Sequence, residues 1–475
     1  MPDIQVETSS GANRSRVSWR TVGAYGAPGF GVGYMYLLMA LYVMKFSTDV
    51  LLIAPAVMGI IFSASRIWDA ISDPLVGYLS DRTRGAMGRR RTWLLASTIP
   101  VMLSFTMVLS PPHSLTGGWL TFWMAVAIIG FYSSMTLFLV PHLSLGAELT
   151  SNYHERSRLF GIRHATFTGG SILALVSMQL FINAEQEGSE AVRIVASNMG
   201  LLASGITGLL ILYAVVVLRE PAENQGRVSN NPARAFRDVW QNPHARLLII
   251  VTFIENIGSA AIGVLTLYIA QYVVGRPVLA PLIILFYMVP STFSVPLWIP
   301  LSRRIGKIRL WMFSMLLTGC SFGGMFFLVL VDSQAQLWII FSLAFTAGLA
   351  AGCGGTVAPS IQGDVIDYDE LITGERKEGS YFSAWNFVYK SAYGVMLLMT
   401  GFILQLSGFV PNQEQTPDVK LAMVSLYGLL PFVFYVIGAI LFSRFKLNEA
   451  AHAEIRSELD RRAAGSGSTS FKSPE

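Results

Sequence analysis

The chain has 475 residues, of which 53% are hydrophobic and only 13% charged, with a net charge of +5 and a mean hydropathy of +0.52. Soluble domains carry about a quarter charged residues, so this composition excludes a water-soluble fold. The positive charges are spread over many short connections, and no nucleic-acid partner is expected.

In chain order, residues 1–21 are polar, lack the apolar core of a cleavable signal and read as a short tail. A helix needs about 20 apolar residues to cross a ~30 Å hydrocarbon core, and about twelve runs meet that need. Six fall near 22–46, 52–80, 92–111, 117–147, 159–182 and 193–218. After a polar stretch at 219–245, six more fall near 246–273, 280–301, 309–331, 335–363, 381–408 and 420–445. Residues 446–475 read as a charged helix with a disordered end. The 43 glycines and 21 prolines suit membrane helices. Cys320 and Cys353 both fall inside spans and read as packing residues, with no disulfide or metal role.

The loops alternate in charge. Those after the second, fourth, sixth and eighth spans contain "DRTRGAMGRRR", "NYHERSRLFGIR", "REPAENQGRVSNNPARAFRD" and "SRRIGKIR". Those between, such as "PPHSLTGG" and "VDSQAQ", are nearly free of Lys and Arg, with Lys45, Arg276 and Lys420 as isolated exceptions. The positive-inside rule then expects a multi-pass protein of the plasma (inner) membrane with both termini cytoplasmic. The halves 22–218 and 246–445 echo each other: "LSDRTRGAMGRRRTW" after the second span has a shorter counterpart, "LSRRIGKIRLW", after the eighth. Such repeats predict two six-helix bundles in the major facilitator layout, with a site between them near the midplane.

A charge at the bilayer centre costs about 2.5–3.5 kcal/mol by insertion scales, so each one calls for a reason. Arg66, Asp69 and Asp73 in "RIWDAISD" share one helical face of the second span. Two carboxylates a turn apart in low dielectric must hold a proton or share a cation, as a coupling-ion site would require. The bland alternative for Arg66 is a static ion pair with Asp69. Further along, Gly77 permits close approach of a neighbouring helix, while Asp81 and Arg82 read as a conformational latch. Lys390 in the eleventh span needs a carboxylate or an anionic substrate group. Glu255 in the seventh is either a proton site or a residue bonded to Asn256. Arg163 and His164 sit near the start of the fifth span, and His142 reads as a helix–helix hydrogen bond.

The segments "RIWDAISDPLVGYLSDRTR", "GDVIDYDELITGERKEGSYFSAWNFVYK" and "MTGFILQLSGF" resemble the glycoside–pentoside–hexuronide:cation symporter family, typified by melibiose permease. The resemblance covers nearly the whole chain. It implies cation binding at Asp69, Asp73 and Thr136, with Lys390 and Arg163 matching the family's eleventh-helix lysine and fifth-helix arginine. Two acids of the melibiose permease type are missing: "YGAPGFGVGYMY" in the first span has none, and Leu139 stands where the fourth span would carry an aspartate.

The expectation is therefore a symporter driven by H⁺ or Na⁺ that imports a small organic solute, a glycoside, pentoside or hexuronide. A lysolipid-like substrate is the alternative, and a non-transporting sensor a remoter one. No nucleophile–base pair, metal cluster or phosphate-cradling loop is present in the sequence, so no enzyme activity is expected. Nor is a cofactor, or a metal beyond Na⁺ at Asp69 and Asp73. A monomer in the lipid bilayer is expected.

Overall fold

The computed structural model describes residues 17–83, 87–150, 153–220, 237, 239–374 and 378–467. Among these the regular structure is helical, with no strand. The N-terminal half contains α1 (Trp19–Leu41, bent by 49° into Val43–Val50), α2 (Pro55–Arg82), α3 (Arg89–Leu109), α4 (Gly117–Glu148), α5 (Tyr153–Glu187) and α6 (Ser189–Val217). The C-terminal half contains α7 (Pro243–Val273), α8 (Pro277–Phe293, bent by 52° into Val295–Ile305), α9 (Lys307–Leu330), α10 (Ser333–Thr373), α11 (Glu378–Leu406) and α12 (Pro417–Phe442). A terminal helix, α13 (Glu449–Gly467), follows. Eleven of the twelve spans among the described residues pass as apolar crossings once each bent pair is counted as one. The twelfth, α2, has the length at 28 residues, and Arg66, Asp69 and Asp73 lower its apolarity.

Local chemistry sets the starts. Asn242 accepts from the backbone amides of His244 and Ala245, with Pro243 in the first turn, so α7 begins slightly before the apolar run does. Asp332 caps α10 in the same way, and Thr416 caps α12. Helix α10 runs to Thr373, ten residues past the apolar limit at 363. Its extension carries Asp364, Asp367, Asp369 and Glu370, which end the hydrophobicity and not the helix. There α13 docks: His452 meets Asp367 at 3.0 Å, and Arg462 donates to the carbonyl of Leu371 at 2.8 Å.

Helix α1 packs on α5 and α6, and α3 on α4 and α6, while α2 lies against α4. In the other half, α11 and α12 pack on α7, and α8 and α9 on α10. The main contact between halves is α2 against α11. The acid-free glycine run of α1 has a packing use. A Cβ on Gly33 would come within 2.0 Å of the Phe167 carbonyl oxygen, and one on Gly170 within 1.8 Å of that of Phe30. Only glycine lets these two backbones meet so closely, the small-residue logic of membrane helix pairs.

On the face away from the arginine-rich loops, the halves are sealed by buried polar groups. Lys45 bonds Glu185 at 2.6 Å and lies 3.6 Å from Asp49. Tyr272 donates to Asp49 at 2.6 Å, and Asn412 donates its side-chain amide to the Asp49 carbonyl at 2.6 Å. Thr48 and Tyr268 share a hydrogen bond at 2.8 Å. Lys45, taken from sequence as a stray loop charge, is in fact the buried partner of two acids.

Candidate functional site

The site is built where α2, α4 and α11 meet. Helical spacing turns Asp69 and Asp73 toward α4, where Thr136 lies 2.8 Å from Asp69 Oδ1 and 3.0 Å from Asp73 Oδ1. Ser72 donates to Thr136 at 3.4 Å and to the Asp69 carbonyl at 3.1 Å. From the other half, Lys390 Nζ reaches Asp69 Oδ2 at 2.8 Å and Asp73 Oδ2 at 2.6 Å. The Asp69 side chain is 1% exposed and that of Asp73 27%, so Asp73 is the acid with access to the interior space. The structure thus brings together Asp69, Asp73, Thr136 and Lys390 from opposite halves of the chain. The lysine ammonium sits between the two carboxylates.

The static Arg66–Asp69 ion pair, the alternative reading for Arg66, is not formed among the described residues. The Arg66 guanidinium lies over the rings of Tyr132 of α4 and Tyr393 of α11, at 4.2 and 4.7 Å. Desolvated cation–π contacts of this kind contribute about 2 kcal/mol. Arg66 is therefore a clasp between the halves, one turn before the acids. Tyr132, Tyr393 and Ser72 escaped the sequence reading, since nothing in the spans of α4 and α11 marks which tyrosine faces inward.

Arg163 and Glu255 stand apart from the cluster. Arg163 of α5 has Tyr25 and His142 as its electrostatic neighbours, and its Nε has no partner among the described residues. His142 is held by the Tyr25 carbonyl at 3.0 Å and stacks between Tyr25 and Phe138. Glu255 of α7 accepts from the Trp311 indole at 3.4 Å, whereas Asn256 donates to the Thr252 carbonyl, so the Glu255–Asn256 alternative is not realised.

Around Asp81, the residue expected to form a latch, the contacts differ from those that the motif suggested. Arg90 donates to Asp81 and lies 3.1 Å from Glu148, which Arg89 approaches at 2.8 Å. Arg82 takes no part in it: its guanidinium stacks on Tyr78 at 4.0 Å. A Cβ on Gly77 would meet Val140 at an ordinary 3.6 Å, so no close approach depends on that glycine. Arg84 lies outside the described residues.

A sequence-family model described as MFS/sugar transport protein matches residues 24–449. An uncharacterised symporter of Synechocystis is 27% identical over 96% of this chain and 99% of its own. A glucuronide carrier protein homolog of Escherichia coli is 24% identical over 94% and 96%, and an isoprimeverose transporter of Lactiplantibacillus pentosus 26% over 93% and 92%. Among solved structures, a nucleoside transporter superposes with a TM-score of 0.67 at 12% identity, covering 90% of this chain and 99% of its own, a likeness of fold alone. The chain belongs to the MFS/sugar transport protein family and is a membrane transporter of the major facilitator fold, not an enzyme.

Proposed function

We propose that this chain is a cation-coupled symporter for a sugar or glycoside, with Asp69, Asp73 and Thr136 as the cation switch and Lys390 as its internal counter-ion. The observation that carries this is the ammonium of Lys390 seated between both carboxylates. A coupling cation must displace that lysine, and its release frees a link between the halves 22–218 and 246–445, which rock about the site. Relatives named for glucuronides and isoprimeverose support the sugar class.

The hydrogen-bond inventory favours H⁺ as the ion. Among the described residues, Thr136 and Ser72 are the neutral hydroxyls beside the two carboxylates, a small ligand set for a metal cation. A proton also neutralises one acid without needing the several oxygen ligands that a metal cation takes. In this reading the chain works as a monomer in the plasma membrane with both termini cytoplasmic. The buried seal around Asp49 is then the outer gate, and Arg163 and Arg66 act on substrate or conformation and not on the ion.

The test is reconstitution in proteoliposomes with a panel of glycosides, hexuronides and lysolipids. The expected result is substrate-evoked proton movement that persists without Na⁺. Uptake that requires Na⁺ and moves no protons would refute the proton assignment. Accumulation indifferent to both gradients would refute symport.

A further inference from the structure

A polar cavity is lined, among the described residues, wholly by the C-terminal half. It has a volume of about 340 Å³, at the lower end of the ~300–1,000 Å³ of small-molecule pockets. All six spans of that half contribute to it. Among the described residues Glu255 is the one charged side chain in its lining; the rest is aromatic, amide, hydroxyl or small.

We propose that this cavity receives the uncharged, polyhydroxylated part of the substrate, with Glu255 as the acceptor of its hydroxyl groups. The inference rests on the symporter reading above and narrows its substrate class to neutral glycosides. Polar groups in the lining are left short of partners among the described residues. The second oxygen of Glu255 has none among the described residues, and its first has only the long bond from Trp311. Trp385 Nε1 and Thr252 Oγ1 are buried without a partner among the described residues. A carboxylate offers about four acceptor sites, and an indole offers one donor. Sugar hydroxyls both donate and accept, so they complement this set. Trp385, Phe382, Tyr389 and Tyr287 supply flat apolar surface for the C–H faces of a pyranose ring.

Charge sets the selectivity. Among the described residues no lining residue is cationic, so a uronate or sulfonate placed here would face Glu255 without compensation. Asn386 lies one helical turn before Lys390 on α11, which puts this subsite next to the cation switch in the chain.

The experiment uses the full chain in proteoliposomes with four probes: methyl β-D-xylopyranoside, methyl β-D-glucopyranoside, D-glucuronate and methyl β-D-glucuronide. Wild-type uptake and competition should favour the neutral pair by about tenfold or more, the scale of a hydrogen bond to a charged group. Glu255→Gln should weaken neutral-sugar affinity by a similar factor and narrow the gap to the uronates. Glu255→Asp, which keeps the acceptor, should retain part of the affinity. Equal or better transport of the uronates overturns the neutral-sugar assignment and leaves symport standing. Unchanged affinity in Glu255→Gln overturns the acceptor role. No cation-driven uptake of any probe sinks the sugar symporter reading itself, and this inference with it.

Discussion

Lys390 holds two acids in one grip, and its loss would strand both. Removing one partner of a buried ion pair costs about 3–5 kcal/mol, because the remaining charge stays buried without compensation. Lys390→Ala is therefore expected to lower the melting temperature of the detergent-solubilised protein by several degrees. Adding Asp69→Asn should recover part of the loss, since it removes one stranded charge. A Lys390→Ala variant as stable as wild type would show that the ammonium does not compensate Asp69 and Asp73. Thr136→Val should weaken ion-driven uptake without such a thermal penalty, because the lysine contacts remain. Arg66 makes the complementary case. Its ring contacts to Tyr132 and Tyr393 ask for a planar cation, so Arg66→Lys keeps the charge but loses the clasp.

At the scale of the element, close helix contacts decide which spans can carry function. The glycine run of α1 is committed to α5 through Gly33 and Gly170, so the first span serves as a packing rail. Gly170→Leu should prevent accumulation of folded protein in the membrane, measured as loss of a monodisperse peak after solubilisation; a normal peak would contradict the backbone contact. Across the halves, a Cβ on Gly401 of α11 would come within 2.3 Å of the Pro55 carbonyl oxygen on α2. The spans themselves were legible, because length and apolarity write them directly into the sequence. Asp69, Asp73 and Lys390 were legible as charges without a surface, but their shared contact joins residues more than 300 positions apart and needs the fold. The bends in α1 and α8 were not read from the sequence, although Pro290, Ser294 and Pro296 flank the second and are residues at which helices kink. The roles given to Gly77 and Arg82 came from motif order, and packing assigned those residues elsewhere.

For the whole molecule, two polar clusters join the halves: one around Asp49 and the other around Asp73, the proposed switch. The seal ties α1 to α7 and to the loop after α11, so it joins the halves as α2 and α11 do. If this is the outer gate, weakening it should shift the population toward an outward-open form. Ser47, fully buried beside Asp49, is a reporter for that shift. In an Asp49→Ala background, a Ser47→Cys reporter should react with a membrane-impermeant thiol reagent added outside, and much less so when Asp49 is present. Equal labelling in both would contradict the gate. Lys45 and Asp49 stand four residues apart in "MKFSTDV", a helical spacing that could have exposed this pair in the sequence.

The most direct test of the central claim is Asp73→Asn in proteoliposomes, with accumulation and exchange measured on the same preparation and the same sugar. Asn preserves size and a hydrogen-bonding oxygen but cannot take up the coupling proton. The account predicts that gradient-driven accumulation is lost while equilibrium exchange of the sugar across the membrane continues. Concentrative uptake that survives in Asp73→Asn would contradict the switch.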